Sequence, residues 1–266
     1  MFMSPLPDRR IFAGAETEML IKGEGQPLLF LHAGHGFDAE DPLIERLSAR
    51  YKVIAPSHPG FGASPRPDGV DTVDDIAYRY LDLIEDLGLT QVILVGVSFG
   101  GWIAAELATK GSDRIAKLVL IDPVGVKFGD RETRDITDIY ATTAQQIPEL
   151  FFADEAKGLA ALNNLDFKDL PEEIALRFAR NREALTLFGW APTLYNPKLR
   201  GRLHRIKVPT LVLWGEEDRI VPVDYGRNYA AAIPDARIEI VPDAGHYGYL
   251  EQPQAFADTI TAFLGA

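Results

Sequence analysis

Ser98 sits in Gly96-Val97-Ser98-Phe99-Gly100-Gly101, at the end of an apolar run over 91–97. A serine hydroxyl attacks poorly unless a base takes its proton, and the base works best when a third group orients it. His246, in DAGHYGYLEQP over 243–253, is a candidate base. Asp218, in WGEEDRIVP over 214–222, is a candidate orienter. The glycines two positions either side of Ser98 would remove side chains from a sharp strand-to-helix turn, lifting the hydroxyl clear of the sheet. The plainer reading makes Ser98 a helix cap, since serine is a favoured one. Asp122, which precedes Pro123 after another apolar run, competes with Asp218 as the acid and otherwise reads as a strand-end turn.

These residues have to be positioned by strands and helices, and the pattern supplies both. Strands are expected at 26–32, 51–56, 91–97, 115–121, 208–214 and 237–241. Helices are expected at 41–50, 73–87, 101–110, 224–233 and 253–264, with Asp41 as a cap and Pro42 in the first turn. Strands apolar throughout need cover on both faces, so the alternation predicts an α/β fold with a doubly wound, mostly parallel sheet. Loops at the carboxyl ends of such strands open onto one crevice, which would bring Ser98, Asp218 and His246 together. The alternation stops between about 127 and 205. Two stretches there, 131–152 and 171–190, have helical spacing, so the segment reads as a helical cap inserted between strands. The expected division is 1–126 and 206–266 for the core and 127–205 for the cap.

Totals narrow the chemistry. The chain has 266 residues, 47% hydrophobic and 25% charged, enough for a sizeable core. A formal net charge of −12 disfavours nucleic acid and anionic membrane surfaces as partners. With no cysteine, disulfides and thiolate chemistry are excluded. The amino-terminal MFMSPLPDRR lacks the apolar core of a signal peptide, and no apolar run approaches the roughly 18 residues of a membrane span. A cytoplasmic protein acting on a small molecule is the expectation. His32, His35 and His58 raise a metal site as a minor alternative, but His32 falls at a strand end and His35 in the following loop; no metal or cofactor is expected.

The stretches LLFLHAGHG, VIAPSHPGFGAS, LVGVSFGGW, LVLWGEEDRIVP and DAGHYGYLEQP, in this order from about residue 20 to the carboxyl terminus, resemble the α/β-hydrolase family. The resemblance implies Ser98 as nucleophile, His246 as base and Asp218 as acid, in the Ser-Asp-His chain order of that family. It also implies an oxyanion hole from the backbone N–H of Phe99 and one from the His32-Ala33-Gly34 loop, taken as Gly34. Two departures stand out. Ala33 replaces a customary glycine, and Ser57 replaces an acid that commonly braces the Pro59-Gly60-Phe61-Gly62 turn.

Within the family, dehalogenases and epoxide hydrolases attack with Asp, so Ser98 argues against both. What the resemblance leaves is hydrolysis of an ester or related acyl bond, with carboxylic-ester hydrolysis as the main expectation. One alternative is hydrolysis of a C–C bond in a ring-cleavage dicarbonyl. Another is a receptor of the same fold that keeps the triad but turns over slowly. Aromatic residues of the cap and motifs suggest an uncharged, apolar substrate. The candidate pocket residues are His35, Phe37, Trp102, Trp190 and Tyr247, with core packing the alternative for Trp102.

Overall fold

The apolar runs of the chain form strands because they are buried on both faces of one sheet. In this computed structural model, which describes residues 8–12, 14–36, 39–130, 132–143, 146–161 and 171–265, the strands are β1 (Asp8–Phe12), β2 (Ala15–Lys22), β3 (Pro27–Leu31), β4 (Lys52–Pro56), β5 (Val92–Val97), β6 (Ile115–Ile121), β7 (Thr210–Gly215) and β8 (Ala236–Val241). Strands β5 and β7 are buried at every residue. The sheet order is β1-β2-β4-β3-β5-β6-β7-β8. Neighbours from β4 through β8 are parallel, and β2 pairs antiparallel with both β1 and β4. The chain is therefore α/β, with a doubly wound, mostly parallel sheet. The strand order turns between β3 and β5, and the loops leaving their carboxyl ends border the crevice where such sheets place their sites.

Helices α1 (Pro42–Ser48), α2 (Val73–Asp86) and α3 (Phe99–Thr109) fall among the first six strands. Asp41 caps α1 by accepting from the N–H groups of Leu43 and Ile44, and Thr72 with Asp75 forms a capping box on α2. Helix α3 is buried along its whole length behind the sheet. Between β6 and β7 lie α4 (Ile147–Phe151), α5 (Glu155–Ala161), α6 (Glu172–Gly189) and a 3₁₀ turn at Arg200–Arg205. Helices α7 (Val223–Ala231), α8 (Gly248–Glu251) and α9 (Pro253–Leu264) complete the chain, with α9 packed on α1. The foot of the inserted segment is tied where Gly125 N–H donates to Leu194 O and Asn196 N–H to Gly125 O. No described helix is long and apolar enough to cross a membrane.

Three elements differ from the sequence pattern. The β1–β2 hairpin is absent from it, because the polar β1 has mostly exposed side chains and lies at the sheet edge. Helix α3 starts at Phe99, two residues before the expected Gly101. The helical spacing over 131–152 yields α-helix only at Ile147–Phe151 among the described residues. There, local side chains take the backbone donors a helix would need: Asp130 accepts from the N–H groups of Glu132 and Thr133, and Asp138 from those of Tyr140 and Ala141.

Candidate active site

Ser98 occupies a strained turn between β5 and α3, with φ 50° and ψ −110°. Such a conformation is costly for a residue with a side chain and persists only where its surroundings enforce it. Here the enforcement is steric. A methyl group on Gly96 would overlap the carbonyl oxygen of Gly100, and one on Gly100 would overlap that of Leu31. One on Gly101 would stand 2.7 Å from Cβ of Pro123. The three glycines let strand, turn and helix close on one another. Ser98 makes no side-chain bond to its helix. Its Oγ lies 2.8 Å from His246 Nε2 instead.

His246 Nδ1 is 2.7 Å from Asp218 Oδ2. The other carboxylate oxygen of Asp218 accepts from the N–H groups of Ile220 and Val221, at 2.7 and 2.9 Å, which fixes the carboxylate plane after β7. Ser98, Asp218 and His246 are all buried. The loop carrying His246 is held from two sides. Glu251 accepts from Gly245 N–H and from Ala153 N–H, and Tyr247 N–H donates to Phe151 O, so α4 of the inserted segment is bonded to the histidine loop.

Asp122, the competing acid, also lies at the sheet edge, but its Oδ1 accepts from Gly215 N–H at 2.9 Å and ties the end of β6 to that of β7. Burial, reinforced by the charge of Asp218, pushes its carboxyl well above the usual carboxylate range. The geometry puts Asp218 against the imidazole and Asp122 against the backbone beneath it.

Gly34 and Phe99 both line the small cavity over Ser98, and among the described residues no group accepts a hydrogen bond from either N–H. The other described lining residues are Val124, Ile139, Phe151, Leu185, Leu194, Ile220, His246 and Tyr247, with no lysine or arginine among them. The space is tight, about 20 Å³ open to the centre of a water molecule, roughly room for one water. A larger hollow of about 350 Å³, beside Lys127 and Asp135, contains none of Ser98, Asp218 and His246.

Of the expected pocket residues, Tyr247 lines the cavity. His35 packs edge-on against Tyr247, with ring centroids 4.5 Å apart, and burial lowers its imidazole to about 3. Trp190 does not belong there: it is 57% exposed at the end of α6, with its ring against Tyr140. Trp102 is a core residue instead, buried beside Gly125 and edge-on to Phe99. Both tryptophans sit on helix turns whose direction the sequence pattern left open. Phe37 lies outside the described residues.

His32 and His58 form a buried stacked pair behind the 33–36 loop, with ring centroids 3.7 Å apart. His32 Nε2 accepts from His58 N–H, so its own proton is on Nδ1, donating to Ala33 O. His58 Nε2 is within 2.9 Å of the His32 carbonyl and Nδ1 is bonded to the Tyr80 hydroxyl. All four ring nitrogens are thus engaged by protein groups.

Three polar residues went unread in the sequence. Glu18 on β2 accepts from Ala63 N–H at 2.8 Å, supplying from a neighbouring strand the carboxylate that position 57 lacks. It also pairs with Arg177 of α6 at 2.7 Å, both side chains buried. Asn181, one turn further along α6, accepts from Gly62 N–H and donates to His35 O. The available signal was a polar pair four residues apart on a helix, which reads equally well as a solvated face.

The alpha/beta hydrolase family profile matches residues 28–259. The chain belongs to the alpha/beta hydrolase family. It is 29% identical to 2-hydroxy-6-oxo-6-(2'-aminophenyl)hexa-2,4-dienoic acid hydrolase of Metapseudomonas resinovorans, over 94% of this chain and 88% of the relative. It is also 29% identical to 2-hydroxymuconate semialdehyde hydrolase of Pseudomonas putida, over 98% and 95%. A solved meta-cleavage product hydrolase from Pseudomonas fluorescens IP01 shares the fold with TM-score 0.79, 23% identity and 98% coverage of each chain.

Proposed function

We propose that this alpha/beta hydrolase cleaves an acyl bond, in the first place a carboxylic ester, of an uncharged and largely apolar small molecule. Ser98 is the nucleophile, His246 the general base, Asp218 the acid that orients it, and the N–H groups of Phe99 and Gly34 form the oxyanion hole. The observation that carries the reading is the unbroken line from Ser98 Oγ to His246 Nε2 and from His246 Nδ1 to Asp218. His246 takes the serine proton as Oγ attacks the carbonyl carbon. The tetrahedral oxyanion is held by the two N–H groups, each worth about 3 kcal/mol of barrier in comparable sites. His246 then protonates the leaving group, and water, activated by the same imidazole, releases the acid. The described part of 127–205 acts as the cap over this cavity, which supports an apolar acyl group through Ile139, Phe151, Leu185 and Leu194.

A second reading is hydrolysis of a C–C bond beside a ketone, in a ring-cleavage dicarbonyl. The curated relatives support it, since both are hydrolases of that kind by name. The same triad serves, with the leaving carbon protonated in place of an alkoxide. The two readings differ at charge: the dienoic acid named for the first relative carries a carboxylate, whereas the described cavity lining holds no cation. The names of the relatives favour the C–C reading, and the uncharged lining of the cavity favours a neutral substrate.

The test is turnover of short-chain p-nitrophenyl esters against a 2-hydroxy-6-oxo-dienoate, with Ser98→Ala as the control. Ester turnover that vanishes in Ser98→Ala, with the fold retained by circular dichroism, is expected. Faster cleavage of the dienoate gives the second reading precedence. Wild-type turnover persisting in Ser98→Ala overturns both, and saturable binding without turnover identifies a receptor instead.

A further inference from the structure

We infer that Asn181 is a positioning residue for the oxyanion hole, so that helix α6 sets the geometry of the hole as well as covering it. The inference rests on the reading of Ser98 as the nucleophile.

The face that α6 turns to the core carries Arg177, Asn181, Ala184, Leu185 and Phe188. It lands on two loops made bare by glycine. A methyl group on Gly34 would stand 2.7 Å from a Leu185 methyl, one on Gly36 2.5 Å from Asn181 Nδ2, and one on Gly60 3.2 Å from Ala184 Cβ. One on Gly62 would stand 2.9 Å from Arg177 Nη2. Gly36, Gly60 and Gly62 also have positive φ, of 85°, 85° and 56°, which a side chain would oppose. The motif glycines thus make room for this helix.

Into that contact Asn181 sends one amide. Its Oδ1 accepts from Gly62 N–H and its Nδ2 donates to His35 O, each at 2.7 Å. The His35 carbonyl and the Gly36 N–H belong to one planar peptide unit. That N–H donates to Ala33 O at 3.0 Å. The Ala33 carbonyl in turn shares its peptide plane with the Gly34 N–H, which lines the cavity. A donor chain therefore runs from the Asn181 amide through two peptide planes to Gly34 N–H. Each link fixes the orientation of the next plane and polarises its N–H. The His32 imidazole, donating to the same Ala33 oxygen, supports the chain from the sheet side. Arg177, one turn earlier, holds α6 in place through Glu18 but does not touch this chain.

Asn181→Asp keeps the shape and the acceptor for Gly62 while replacing the Nδ2 donor with an oxygen that faces the His35 carbonyl. The first measurement is the release of p-nitrophenol from a p-nitrophenyl alkylphosphonate. Wild type is expected to give a stoichiometric burst and Ser98→Ala none. A wild type without a burst overturns the serine-hydrolase reading itself. With the burst in hand, Asn181→Asp should lower kcat on an ester about tenfold, a fraction of what losing a whole donor costs, with KM within about twofold. The decisive readout is the ratio of ester to thionoester turnover. Sulfur accepts hydrogen bonds poorly, so the hole favours the oxygen substrate. The ratio should fall in Asn181→Asp and hold in Arg177→Gln, which loosens the same helix. Asn181→Ala carries the same test should the aspartate variant not fold. A ratio unchanged from wild type in the folded Asn181 variant, or a fall equal in Arg177→Gln, overturns the inference.

Discussion

Acidification should destabilise this protein, and one share of the effect is traceable to His58. His58 is fully buried and burial holds it neutral, lowered to about 3. In the unfolded chain the same group takes a proton near pH 6.5. Between about pH 6.5 and 3 the unfolded state therefore holds a proton that the folded state refuses, so stability falls as pH falls. One such group contributes up to about 1.4 kcal/mol per pH unit. Burial also lowers His32 and His35, which add to the slope, while Asp122, raised by burial, opposes it because its folded form keeps a proton that the unfolded chain loses. Replacing His58 removes its own term and leaves the opposing carboxyl in place. His58→Gln should flatten the dependence of unfolding free energy on pH by up to about 1.4 kcal/mol per unit between about pH 5 and 6. Part of the lowering of His32 comes from His58, but burial is its larger cause and survives the substitution. The variant should also lose roughly 1–3 kcal/mol at neutral pH, because the Tyr80 hydroxyl and the His32 carbonyl forfeit a well-placed partner. Urea unfolding at several pH values, followed by tryptophan fluorescence, gives both numbers. A pH slope identical to wild type would refute the assignment of His58 as a neutral buried group.

Two carboxylates and a glycine give further checks. Asp218→Asn should lower kcat by a factor on the order of 10³ or more, as loss of the orienting acid does in comparable triads. Asp122→Asn keeps an acceptor for Gly215 N–H and should change kcat far less; the larger fall in Asp122→Asn would reverse the assignment of the acid. Gly100→Ala should fail to give soluble folded protein, or unfold several kcal/mol earlier, because its methyl group would overlap the Leu31 carbonyl oxygen. A thermal midpoint equal to wild type would contradict that packing.

The strand–helix alternation from residue 26 onward is legible in the sequence, because buried strands and amphipathic helices have different hydrophobic periods and turn residues punctuate them. The sequence also supplied Ser98, Asp218 and His246 as candidates, since a parallel sheet sends every strand-end loop to the same edge. It did not reveal the β1–β2 hairpin, whose polar edge strand buries only Phe12 and so leaves no alternating pattern. Nor did it reveal that Asp130 and Asp138 hold Glu132, Thr133, Tyr140 and Ala141 in turns. Only the tertiary structure places the Asp218 carboxylate on the imidazole and that of Asp122 on the backbone of β7. Only it sent Trp190 to the surface and brought Glu18, Arg177 and Asn181 to the motif loops. Those contacts join residues up to 159 positions apart. Periodicity reports which face of an element is buried, but which partner meets that face is fixed when the elements pack.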